Sequence, residues 1–75
     1  MIVFAIRVGC VPRLAYEAMD NKSKTLGGET IYHGASSDGY DISIAAPSIT
    51  LLERMCAIMG VRYDRRNVYT TLSDD

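Results

Sequence analysis

The stretch at residues 30–46 constrains this chain more than any other. It reads as a β-hairpin: an edge-like strand, an Asp38-Gly39 turn, then Tyr40-Asp41-Ile42-Ser43-Ile44-Ala45-Ala46. The second arm alternates apolar and polar residues with a period of two, as a strand with one buried face does. Asp-Gly between two such arms signals a tight turn, because both residues tolerate positive φ.

Length decides how much can be built around that hairpin. The 75 residues leave room for a single domain, 1–75. A chain of this size buries only about 60% of its unfolded surface. Its core then supplies roughly 3–5 kcal/mol net, so association is expected to add to stability. Apolar content of 48% and charged content of 23% belong to a globular domain, not a disordered one.

Upstream of the hairpin, residues 1–8 form a near-continuous apolar run rich in β-branched side chains. They are expected to make a central strand, with Ile2, Phe4, Ile6 and Val8 on one face and Val3, Ala5 and Arg7 on the other. Gly9 and Pro12 end it. A helix over 12–22 follows, with Val11, Leu14, Ala15, Ala18 and Met19 as its apolar stripe and Arg13, Glu17 and Asp20 toward water. Gly27-Gly28 turns the chain into a short polar strand at 29–35, which holds His33 and belongs at an edge.

Downstream, Pro47 and Ser48 break the third strand. Thr50 and Glu53 match a capping box, with Ser48 as a competing cap. The second helix runs to Met59 with Leu52, Met55, Cys56 and Met59 on one face, and Gly60 is its left-handed cap. A turn at 64–66 and a last strand at 67–72 complete the chain. Residues 73–75 read as a solvated end.

The order β-α-β-β-α-β fits an α+β, ferredoxin-like split βαβ plan, with antiparallel strand order 4-1-3-2 and two helices on one face. Runs one and three are the most apolar, as the two central strands of that plan should be. Phe4, Ile42 and Ile44 then point at the helices. Val3, Ala5, Arg7, Asp41, Ser43 and Ala45 form an open face, and Arg7 and Asp41 should pair across strands.

The formal net charge of −1 argues against a purely electrostatic nucleic-acid binder. Cys10 and Cys56 make no disulfide framework, so reduced thiols and a cytoplasmic location are expected. Residues 1–5 lack a charged n-region and are too short for a signal or membrane segment, and the chain reads as starting at its own methionine.

Few residues suggest chemistry. Cys10 is placed between a strand and a helix start, where a helix dipole lowers a thiol pKa. Cys10-Val11-Pro12-Arg13 faintly resembles the redox loop of thioredoxin-like proteins, which would imply a redox thiol, but Arg13 stands where a second cysteine often does. The cysteine–arginine phosphate loop of small phosphatases fails, since Tyr16 lies six residues after Cys10. Cys10, His33 and Asp38 have no ligand spacing, so no metal or cofactor is expected. The element order is similar to that of RNA-recognition domains, and Gly39-Tyr40 with Phe4 resembles their base-stacking motifs. Ile42 and Ile44, however, occupy places where further aromatics belong. Arg62, Arg65 and Arg66 form the basic cluster, with Tyr69 beside it. No Ser-His-Asp arrangement, paired carboxylates or Walker-type loop is apparent.

These features lead to a non-enzymatic protein-interaction module, an inhibitor or adaptor. It is similar in kind to the small proteins that phages and mobile elements use to block host machinery. Its partner would be a protein or nucleoprotein complex; a homodimer is a candidate assembly and no membrane is involved. The expected contact residues are Arg7 and Asp41 on the open face, Tyr32 and His33 at the edge, and Arg62, Arg65, Arg66 and Tyr69 in the last segment. A nucleic-acid-binding domain and a thiol-dependent redox protein are the alternatives.

Overall fold

A computed structural model describes residues 1–73; the solvated end expected at Asp74 and Asp75 lies outside the described residues. The elements are β1 (Ile2–Val11), α1 (Arg13–Thr25), β2 (Glu29–Ser36), β3 (Gly39–Ala46), α2 (Ile49–Met59), a single 3₁₀ turn (Arg65–Asn67) and β4 (Tyr69–Leu72). All strand pairs are antiparallel and the sheet order is β2-β3-β1-β4. This is the expected ferredoxin-like βαββαβ arrangement.

The helix side of the sheet holds the larger core. Ile6, Ile44 and Ala46 meet Leu52, Met55 and Cys56 of α2, all buried, with Phe4, Val8 and Val68 packed around them. Helix α2 has the expected face because Leu52, Met55, Cys56 and Met59 recur at helical spacing. Ser48 caps it, accepting the Leu51 N–H at 3.2 Å, and Gly60 ends it with a φ of 73°. Ser48, not Thr50, is therefore the cap.

Helix α1 is turned relative to expectation. Leu14 is 86% exposed, and Ser23 is the buried residue of the helix. The inward positions follow Tyr16, Met19 and Ser23. Tyr16 finds the Tyr40 ring at 5.0 Å, and the Ser23 hydroxyl sits near Thr30 Oγ1 (3.4 Å) and Met59 Sδ (3.7 Å). An aromatic contact and a satisfied hydroxyl thus settle the rotation, and the apolar stripe at Leu14 and Ala18 stays outside.

Two β-bulges reshape the sheet. The register slips between Arg7 and Gly9 in β1, and between Tyr32 and Gly34 in β2. Strand β1 therefore continues through Gly9, at φ 102°, to Val11, where its end at Val8 was expected. The extra residue also inverts the alternation. Cys10 comes opposite Asp41, on the side away from the helices. The tight turn is Ser37-Asp38, one residue earlier than the Asp-Gly signal implied, and Gly39 is the first residue of β3. Glycine is needed there because a Cβ would overlap the Val11 carbonyl.

The face opposite the helices is not open. Val3, Ala5, Ser43 and Ala45 expose 1% or less of their surface, although no helix lies over them. The sheet covers them by curling. Ile31 from β2 and Tyr69 from β4 pack on Val3, Ala5 and Ala45. The Ser73 hydroxyl donates to Glu29 Oε2 at 2.8 Å, and the Tyr69 hydroxyl lies 3.3 Å from His33 Nε2. The two edge strands thus run antiparallel across a concave side, joined through side chains. Bulges increase local twist, and small residues at the centre of the concavity let the strands approach.

Candidate functional site

Two clusters gather the chemistry-bearing side chains, one on each side of the sheet. On the concave side, Ser43 of β3 is the node. Its Oγ accepts from the Tyr69 hydroxyl at 2.8 Å and lies 2.7 Å from His33 Nε2. The set is satisfied when Tyr69 donates to Ser43, Ser43 donates to Nε2, and the imidazole carries its proton on Nδ1.

Arg7 and Asp41 stand at the rim of the same side. Arg7 is directly opposite Ser43 and reaches Asp41 diagonally, donating from Nε to Oδ1 at 3.2 Å and from Nη2 to Oδ2. The expected cross-strand pair is present. Hydrogen bonding to Arg7 holds the Asp41 carboxyl below its ordinary range, with the charge of Arg7 acting in the same direction. Asp41 in turn raises the Arg7 guanidinium.

A serine hydrogen-bonded to a histidine, with an aspartate nearby, has the composition of a nucleophile and its base. Sequence reading found no such grouping, since Ser43 and His33 sit on different arms of the hairpin. The geometry, however, closes it to substrate. Ser43 is 0% exposed and shares its hydroxyl with Tyr69, so no carbonyl carbon reaches Oγ. The cluster acts as a strap that ties β4 to β2 through β3.

Cys10 opens onto a neighbouring cleft of about 390 Å³ with Arg7, Asp41 and Ser36, its Sγ 3.8 Å from Ser36 Oγ. The β1 bulge places it inside a strand, facing away from the helix side, and not at a loop before α1. Cys10 and Cys56 are both free, the first exposed and the second buried. Among the described residues, no three His, Cys, Asp or Glu side chains gather as a ligand set.

The second cluster lies on the helix side, at the start of α1. Tyr16 and Tyr32 both meet Tyr40 edge to face, with centroids 5.0 and 5.7 Å apart, and the Arg13 guanidinium sits 5.5 Å over the Tyr40 ring. With Leu14 and Glu17 these side chains line a cleft of about 580 Å³. Tyr32 is 54% exposed. Aromatic pairs of this geometry stabilise one another by about 0.5–1.5 kcal/mol beyond burial, so the rings are held in place before any partner arrives.

The basic segment lies apart from the tyrosine cleft. Asp64 accepts from the Arg66 backbone N–H at 3.0 Å and from its guanidinium at 3.0 Å. These bonds hold the Asp64 carboxyl below its usual value. Arg62 and Arg65 are exposed, and Arg65 borders a shallow groove with Tyr69 and Phe4.

The expected contact residues therefore form no single surface. Arg7, His33, Asp41 and Tyr69 converge on the concave side, Tyr32 points the other way, and Arg62, Arg65 and Arg66 occupy the loop after α2. Sequence reading missed Ser43 as the node, and Arg13, Leu14, Tyr16 and Tyr40 as a cleft. Period-two alternation already aligned Ser43 with Ala45. Nothing local signals that Tyr16 on a helix meets Tyr40 on a strand.

Neither the known protein families, the curated proteins nor the solved structures include a match to this chain. Among the described residues, no helix is long and apolar enough to cross a membrane.

Proposed function

We propose that the chain is a non-enzymatic protein-interaction module that docks a partner on the cleft formed by Arg13, Leu14, Tyr16, Tyr32 and Tyr40. One observation carries this reading: Leu14 stands 86% exposed at the mouth of a pre-packed tyrosine cluster flanked by arginine. Tyrosine and arginine dominate binding hot spots, and a large aliphatic side chain held in water gains by being covered. The partner chemistry that fits is a protein surface with an apolar protrusion. Inhibition of that partner, in the style of small phage or mobile-element proteins, is the finer form of the same reading.

The contact surface thus moves from the sheet face to the helix side. Arg7, His33, Asp41 and Tyr69 hold the fold together on the concave side and are poor candidates for contact. Tyr32 remains, and Arg62 and Arg65 offer a second, basic patch. The nucleic-acid alternative is less favoured, because Phe4 faces the helices and, among the described residues, the concave face presents no fully exposed ring for base stacking.

The test is affinity capture with wild type and Leu14→Glu side by side, with circular dichroism confirming that both fold. A partner retained by wild type and lost by Leu14→Glu supports the reading. A partner held equally by both, or none held by either, ends it.

A further inference from the structure

We propose that a second copy of this chain adds to the free edge of β2, joining two sheets by an antiparallel pairing with Ile31 near the two-fold axis. Strand β2 is an outer strand of eight residues, ETIYHGAS, and contains neither lysine nor proline, the residues that ordinarily block such an edge. The bulge at His33 interrupts its far half and leaves residues 29–32 regular.

Beside this edge runs a groove of about 490 Å³, lined by α1 on one side and by the end of β4 on the other. Its wall includes Tyr32 and Leu72, 54% and 72% exposed, so covering it removes aromatic and aliphatic surface from water.

Charge pattern selects the occupant. Helix α1 presents Asp20 and Lys24 to the groove, one turn apart and bridged at 3.0 Å. A two-fold axis at β2 sets the α1 helices of two copies antiparallel, so that Asp20 of each meets Lys24 of the other. A two-fold repeats each Asp20–Lys24 contact twice. An unrelated strand would have to supply this pattern, whereas a second copy carries it.

This inference goes beyond the proposed function; its groove shares Tyr16 and Tyr32 with the proposed cleft but not Leu14 or Arg13. Leu14→Glu should abolish partner capture and leave self-association intact, so the two ideas fail separately.

The experiment is sedimentation of the purified chain from roughly 1 µM to 1 mM, with hydrogen exchange at both ends of that range. A dimer is expected, with concentration-dependent protection confined to amides of residues 29–34. Asp20→Lys and Lys24→Asp should each weaken it about tenfold, and the double exchange should restore it to within about twofold. Thermal melts of the three variants separate loss of pairing from loss of fold. A monomer throughout, a dimer indifferent to the single reversals, or protection centred elsewhere would overturn the proposal.

Discussion

The two faces of this sheet are both dry, but they are closed in different ways. On the helix side, Leu52, Met55 and Cys56 of α2 cover Ile6 and Ile44, so large side chains from another element do the covering. On the concave side the sheet covers itself, with Ile31 and Tyr69 brought in over Val3, Ala5 and Ala45 by curvature. The first face needs volume and the second needs its absence. Truncating Leu52 or Met55 on the helix side would leave a hole, whereas the alanine at position 45 allows the roll.

That contrast is best broken at its two centres. Leu52 is fully buried, and Leu52→Ala is expected to cost about 2–5 kcal/mol through lost transfer and a residual cavity. For a chain this short, that matches or exceeds the whole margin of stability. Urea unfolding should show little folded protein near 37 °C. Ala45→Leu tests the other face. Adding volume where the strands close is expected to cost about 1–3 kcal/mol and to loosen the amides of β4. If Ala45→Leu melts like wild type, the concave face has slack and its closure is not what fixes the curl.

Tyr69→Phe sharpens the comparison by removing a single donor. The ring still covers Val3 and Ala5, but Ser43 loses the hydrogen bond from the strap. The expected cost is about 1 kcal/mol. A shift in the His33 ring signals in NMR should accompany it, since His33 Nε2 lies 3.3 Å from the lost hydroxyl. An unchanged His33 spectrum would mean that β2 and β4 are not coupled through this network.

The same contrast explains what was legible in the sequence. Element order and strand order followed from apolar runs, turn residues and caps, and alternation sorted Val3, Ala5, Ser43 and Ala45 onto one face. Those are local signals, each set by a period of two or of 3.6. What covered that face was not legible, because it depends on curvature, which accumulates from two bulges that no local pattern marks. The bulge at Val8 alone moved Cys10 across the sheet. Helix α1 was misread for a related reason: its stripe at Leu14 and Ala18 competed with a contact between Tyr16 and Tyr40, which only the assembled fold brings together. The cleft built from that contact was invisible for the same cause, whereas the Arg7–Asp41 pair was readable because strand register alone places it.

The smallest expected effect lies in that pair, at the rim of the concave side. Asp41 has its carboxyl pKa lowered in the folded chain, chiefly by the hydrogen bond from Arg7, and Asp64 is lowered by Arg66. A depressed folded pKa contributes stability that is present above the unfolded carboxylate value, about 3.9, and is lost as pH falls through the folded one. The melting temperature should therefore hold from neutrality to about pH 5 and fall below about pH 4. Asp41→Asn should lower it slightly at pH 7 and flatten the fall between roughly pH 5 and 3, and Asp64→Asn should remove a separate part of the same slope. Because Arg7 is largely exposed, added salt should shrink the Asp41 contribution. A wild-type slope in Asp41→Asn would show that the cross-strand pair registers the strands without stabilising them, and that the concave face is held by Ser43, Tyr69 and close packing alone.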